Sequence, residues 1–379
     1  MQAPGPVRRA VRVRCLTALL LLSVVLAAAC GSDGPGEPGE PHGSGSPTRP
    51  TATILNAAGA PSAACTGGAG AAGPAGPAAP PAAVAGGSTA PAPREPFLTD
   101  PASQAAGEAA ANPAHAGLIQ PLVRTPTAFP VGDWLTDVTA AVRQRGEAAR
   151  AAGATAVFMV YAIPHRDAGA GFSAGGAADA AAYRAFTRQV AAGIGAGHAV
   201  VILEPDSLGQ LDNLDPALQE ERYQLLNDAV DVYAGLGGTS VYLDGANCGW
   251  TAPATIAERL LRAGVARARG FAVNVSNYYR TEDEVARGTV ISGLTGNSHF
   301  VVDTSRNGRG PADGLENAWC NPPGRGLGQA PTTATGNPLA DAYLWIKTPG
   351  ASDGECGRGN PPAGTWWPAQ AEELVRNAA

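Results

Sequence analysis

Two short apolar runs in this chain each stop on an aspartate. Val200-Val201-Ile202-Leu203 leads into Glu204-Pro205-Asp206-Ser207-Leu208, and Val157-Phe158-Met159-Val160-Tyr161-Ala162-Ile163-Pro164 leads into His165-Arg166-Asp167. Apolar runs of this length, closed by a proline, read as buried strands, and a strand that delivers an acid at its end is how a barrel enzyme places a catalytic group. Two carboxylates flanking one bond are the equipment of glycoside hydrolysis, where one must be a neutral acid and the other helps to activate water. For either aspartate alone the competing reading is a helix cap. The surrounding elements decide between the two.

Holding two such groups against one bond takes a scaffold, and from Phe97 onward the chain has the pattern of one. The periodicity predicts a helix over Trp134 to Ala152, the strand ending at Asp167, a helix over Ala178 to Gly193, the strand ending at Asp206, a helix over Pro216 to Ala234, and Val241-Tyr242-Leu243 ending on Asp244. Later runs are Phe271 to Val275 ending on Ser276-Asn277-Tyr278, Phe300-Val301-Val302 ending on Asp303, and Tyr343-Leu344-Trp345-Ile346 ending on Lys347. Thr281 and Glu284 stand at capping-box spacing and mark the start of another helix. Such alternation implies a parallel sheet. Polar residues recurring at successive strand ends imply an α/β barrel with its site at the C-terminal face. A doubly wound open sheet is the competing architecture, but no glycine-rich phosphate fingerprint follows the first strand.

The 379 residues carry a net charge of −6 with no basic stripe, which argues against nucleic acid as a partner and suits a neutral polymer. None of the five histidines has metal-ligand spacing, so no metal and no cofactor is expected, and the expected assembly is a monomer. Residues 1–30 read as an export signal: Arg8, Arg9, Arg12 and Arg14 precede an apolar core, Leu16 to Ala29, that is short for a membrane span. Cys30-Gly31-Ser32 resembles a lipoprotein box, with Leu26 four residues before the cysteine where three is usual, so lipid attachment at Cys30 and ordinary cleavage both stay open. Either route puts the mature chain outside the cytoplasm, secreted or anchored at the outer face of the membrane. Residues 31–94, dominated by Gly, Pro, Ala, Ser and Thr, lack the apolar side chains to offset the entropy of ordering and read as a tether. The folded part is then 95–379.

Taken in chain order, eight blocks carry a resemblance. They are Tyr161 to Asp167; Ser173-Ala174-Gly175-Gly176; Glu204-Pro205-Asp206-Ser207-Leu208; Tyr242-Leu243-Asp244 with Trp250; Asn274-Val275-Ser276-Asn277-Tyr278; Asp303-Thr304-Ser305-Arg306-Asn307-Gly308; Trp319-Cys320-Asn321-Pro322-Pro323-Gly324; and Trp345-Ile346-Lys347 with Asp353-Gly354. Together they resemble family 6 glycoside hydrolases, the inverting cellobiohydrolases and endoglucanases, over the whole folded part. The resemblance implies a distorted parallel β/α barrel with fewer than eight strands that hydrolyses β-1,4-glucan with inversion. It makes Asp206 the general acid, Asp167 the neighbour that raises the acid's pKa, and Tyr161 a support for sugar distortion. Inversion needs a base about 6.5 to 9.5 Å from the acid. Asp353 is the family's candidate, with proton removal through a water chain helped by Ser173 as the other route. Asp244 lines the cleft or fixes a loop. Trp134, Trp250 and Trp319 match stacking positions, and Asn277, Arg306 and Lys347 match polar contacts. Trp345, inside its strand, and Trp366 and Trp367, in the closing helix, read as core.

The chain departs from the family pattern at several positions. Asn247 stands where a sugar-subsite histidine is usual and Ala351 where a glutamate is common, while Ala168 replaces a cysteine whose partner after Asp206 is also missing. Cys320 and Cys356 remain as a bridge that fits an oxidising compartment. Cys248 is left over, and pairing with Cys65 in the tether is disfavoured. Only thirteen residues, Gly354 to Trp366, separate Asp353 from Trp367. That is too few for the long loop that roofs a cellobiohydrolase tunnel, so an open cleft and an endoglucanase are expected. A cellobiohydrolase is the alternative within the family, and a surface lipoprotein that binds polysaccharide without cutting it is the alternative outside it.

Overall fold

A computed structural model gives the fold, and the structure describes Cys65, residues 90–168 and residues 173–378. The expected export signal, Cys30 and nearly all of the tether lie outside the described residues. Seven parallel strands form one curled sheet in chain order: β1 (Phe129–Gly132), β2 (Ala156–Tyr161), β3 (Ala199–Leu203), β4 (Thr239–Asp244), β5 (Gly270–Val273), β6 (His299–Asp303) and β7 (Ala340–Leu344). Parallel neighbours cannot be joined by a hairpin and need a crossover. Here the crossovers include α4 (Val138–Ala151), α5 (Ala180–Ile194), α6 (Pro216–Ala234), α7 (Pro253–Arg262) and α8 (Thr281–Leu294). The short helices α1 (Gln104–Ala111), α2 (Pro113–Ala116) and α3 (Gln120–Arg124) come before β1, and α9 (Pro368–Arg376) closes the chain.

Helices on one face and a filled interior on the other bury both sides of the central strands, which is why β3, β4 and β5 are buried along their whole length without alternation. Val201 and Leu203 pack outward with Val190, Leu226 and Val230 of the helices, whereas Val200 and Ile202 point inward to Tyr242, Val301 and Leu344. β1 and β7 are the two edges of the sheet. Just outside them, Ala128 N donates to Trp345 O at 2.8 Å across the gap. All seven strands run the same way, so every strand end named above opens on one face.

Several boundaries differ from the sequence reading. β1 was not expected, because Phe129-Pro130-Val131-Gly132 is short and carries two residues that weaken a strand. Asp137 caps α4 through Ala140 N, and Asp179 caps α5 through Ala182 N, so Trp134 lies ahead of its helix instead of inside it. The capping box at α8 does not form: Thr281 Oγ1 accepts from Asn307, and Glu284 accepts from Cys248 N at 2.6 Å. Trp367 is the cap residue of α9, which leaves Trp366 and Trp367 outside the closing helix. Trp345 lies just past β7 but is buried as expected, in a cluster with Leu327 and Leu374.

Among the described residues two disulfides are present, Cys320–Cys356 as expected and Cys65–Cys248, which corrects the expectation that Cys248 is left over. The second spans 183 residues and joins a stretch read as tether to the loop after β4. Composition shows that such a stretch cannot build a core, but it says nothing about a single covalent contact.

Candidate active site

β2 and β3 are neighbours in the sheet, so the loops carrying Asp167 and Asp206 leave adjacent strand ends. Both loops turn sharply. His165, Asp167, Ala168, Glu204 and Asp206 have φ of 54°, 67°, 36°, 51° and 69°, in the left-handed region that costs a non-glycine residue roughly 1–2 kcal/mol. Asp206 is held there partly by Asp244, whose Oδ2 accepts from Asp206 N at 3.1 Å and from Ala246 N at 3.2 Å. With 2% exposure, Asp244 anchors the acid's backbone and does not line the cleft.

Asp206 itself is half-buried, and the Tyr161 hydroxyl donates to its Oδ2 at 3.4 Å. Burial, followed by the charge of Asp167, pushes its pKa up to about 6, against the pull of Tyr161 and Lys347. Burial also raises the Tyr161 phenol, so that hydroxyl keeps its proton. Asp167 accepts from Ser173 N at 2.8 Å and from Gln210 Nε2 at 3.1 Å. Gln210 was missed by sequence reasoning, although it lies one helical turn beyond Asp206 and its own N–H donates to the Asp206 carbonyl.

Across the cleft, the Asp303 carboxylate ties together the ends of β5, β6 and β7 by accepting from the backbone N–H groups of Ser276, Ser305, Ile346 and Lys347 at 2.9–3.2 Å. Beside it, Asp353 meets Arg306 Nη1 and Lys347 Nζ at 2.8 Å each, the Tyr278 hydroxyl at 3.2 Å and Asn321 N at 3.0 Å. Burial alone would raise this carboxyl, but Arg306 and then Lys347 overcome it and hold the group far below the usual carboxylate range. Asp353 is thus held as an anion by its two cations. Its charge is felt at Asp206, which it helps to keep protonated. The Cys320–Cys356 bridge brackets this pairing, with Asn321 beside one cysteine and Asp353 three residues from the other.

The remaining expected site residues fall into two groups. Trp134 and Trp319 are 50% and 39% exposed, and Lys347 and Asn277 are partly accessible, as sugar contacts require. The Arg166 guanidinium lies 4.7 Å from the Tyr161 ring centre and 5.4 Å from that of Trp134, and it pairs with Asp133 at 2.6 Å. Trp250 is half-buried on Gly209, where a Cβ would come within 2.7 Å of the indole. Arg306, in contrast, is wholly buried and bonds Asp353 and Ser276 O, so it supports the anion and does not reach a sugar. Asn247 and Ala351 are also buried, at 6% and 4%.

The model of the family described as "Glycosyl hydrolases family 6" matches residues 93–378. The chain belongs to glycosyl hydrolase family 6. It is 41% identical over 292 residues to Endoglucanase A of Cellulomonas fimi, covering 76% of this chain and 62% of that protein. It is 40% identical over 289 residues to Endoglucanase 1 of Streptomyces halstedii, covering 74% of this chain and 88% of that protein. Among solved structures, the endoglucanase Cel6 from Mycobacterium tuberculosis, in complex with methyl-cellobiosyl-4-deoxy-4-thio-β-D-cellobioside, is 44% identical with a TM-score of 0.73 and covers 75% of this chain and 97% of that one. For a family 6 hydrolase, the seven-stranded curled sheet with its site at the strand ends is the architecture that the sequence resemblance implied.

Proposed function

We propose that this family 6 hydrolase is an extracytoplasmic endo-β-1,4-glucanase that cuts its substrate with inversion. The observation that carries the reading is the opposite electrostatics of two aspartates at one cleft, Asp206 half-buried and Asp353 buried. Asp206 is held as a neutral acid near Asp167 and Tyr161, and Asp353 is held as an anion. Asp206 protonates the departing glycosidic oxygen. Because Asp353 already accepts from four groups, its part is to stabilise positive charge developing on the sugar, while the attacking water passes its proton along a water chain near Ser173 and Asp167 to bulk solvent, from which Asp206 is reprotonated. Trp134, Trp250 and Trp319 stack on sugar faces, and Asn277 and Lys347 fringe them.

Endo action is supported by the segment after Asp353, which folds back on itself. Gly364 N donates to Ser352 O, Ser352 N to Thr365 O and Ser352 Oγ to Pro361 O, so the thirteen residues are tied back on their own start. A purely binding role is disfavoured, since a binder has no use for an acid kept neutral at a cost. Residues 1–30 as export signal, 31–94 as tether, 95–379 as catalytic domain and a lipid on Cys30 complete the proposal, and the two disulfides support an oxidising compartment. The deciding experiment is product analysis on carboxymethyl cellulose and barley β-glucan. Release of α-configured products of mixed length supports the reading, and β-configured products overturn it.

A further inference from the structure

Arg222 lies on α6 with 2% exposure and contacts none of the groups given a chemical part above. Its guanidinium nevertheless reaches both acid-bearing loops from beneath. Nη2 donates to the carbonyls of Pro164 at 3.1 Å and His165 at 2.8 Å, three and two residues before Asp167. Nη1 donates to the carbonyl of Ser207 at 3.1 Å, directly after Asp206. Glu204 works on the same joint from the side: its carboxylate accepts from Ala162 N and Ile163 N at 3.0 Å, and its own N–H donates to Val160 O at 2.9 Å. Left-handed non-glycine residues persist only where their surroundings over-determine them, and five of them lie in these two loops. One planar fork that serves three carbonyls is something lysine cannot supply.

We propose that Arg222, with Glu204, is a positioning residue that sets the separation of Asp167 and Asp206. The proposal rests on the reading of Asp206 as general acid and Asp167 as its charged neighbour. Arg222 is faced by Glu204, Tyr161 and Tyr183, and Asp206 by Asp167, Tyr161, Lys347 and Asp353, with Asp244 below. If the loops part, the repulsion from Asp167 weakens while Lys347, fixed to the far side, keeps its pull. The acid then ionises at lower pH, and the alkaline limb of the activity profile moves down.

The test is full-length Arg222→Lys and Arg222→Ala assayed on carboxymethyl cellulose, with thermal melting followed alongside. Expected are a loss in kcat on the order of 10- to 100-fold, a nearly unchanged KM, an alkaline limb at lower pH, and partial recovery of Arg222→Ala by added guanidinium ion. A folded Arg222→Ala with wild-type kcat, or one whose loss leaves the limb in place and does not respond to guanidinium, overturns the proposal. Should Arg222→Ala fail to fold, Glu204→Gln carries the same readout, and an unmoved limb again overturns it. Asp206→Asn is run in parallel: activity retained there sinks the acid assignment itself, whatever Arg222 does.

Discussion

Asp206 and Asp353 are the same residue type in one cleft, and their surroundings make them opposites. Asp206 has a phenol and a like charge for company, whereas Asp353 has two cations within 2.8 Å. Asp206→Asn should therefore lose roughly 10²- to 10⁴-fold in turnover while glucan binding persists, checked by kcat on soluble glucan and by isothermal titration. Asp167→Ala removes the repulsion, so the acid's pKa falls and activity is lost at lower pH on the alkaline side. A pH profile reads this directly. For Asp353 the folded pKa is depressed, so its contribution to stability is present above about 3.9, the unfolded value, and is lost as pH falls below it toward the folded value. Arg306→Met should cost about 1–3 kcal/mol at pH 7 by removing one of the two cations that hold a buried anion, and less at pH 3, measured by urea unfolding. Residue types at strand ends made Asp167 and Asp206 legible in the sequence, and Asp353 came from the family resemblance. Burial is not written there, so Arg306 read as a sugar contact, and Gln210 and Arg222 were invisible as partners of loop carbonyls and carboxylates.

Among the elements, the long apolar runs that end on polar residues gave six of the seven strands, since strands buried on both faces leave an unbroken hydrophobic signal. β1 escaped because an edge strand with Pro130 and Gly132 has no such signal. At α8 a local rule lost to tertiary partners: Glu284 is fully buried under the β4 loop and turns to Cys248 N, away from its own helix start. The Cys320–Cys356 link closes a short loop over the Asp353 pairing. Replacing both cysteines by serine should lower stability by about 2–4 kcal/mol, seen as a reduced midpoint in guanidinium unfolding, and should lower kcat as well by loosening Asn321 N from Asp353.

For the whole molecule, the short segment after Asp353, folded back on itself, supports a groove that substrate enters from the side. The viscosity of carboxymethyl cellulose should fall before many reducing ends appear, and NMR should detect the α-anomer first. Early cellobiose with little loss of viscosity would replace the open groove with a tunnel. Attachment is separable from this: a fatty-acid probe should label the wild type and not Cys30→Ser, and label in neither form would leave a secreted enzyme.

Asp303 has a consequence for how the molecule breathes. Four loop amides from three strand ends converge on one carboxylate that is itself fully buried. Loop amides usually exchange with solvent through small local openings, but none of these four can open without uncovering the anion that the other three share. In deuterium, the amides of Ser276, Ser305, Ile346 and Lys347 should therefore exchange as slowly as those of the strands they follow, and at a common rate. In Asp303→Asn all four should speed up together, while amides around Asp206 keep their pace, which would mark the two walls of the groove as separately opening bodies.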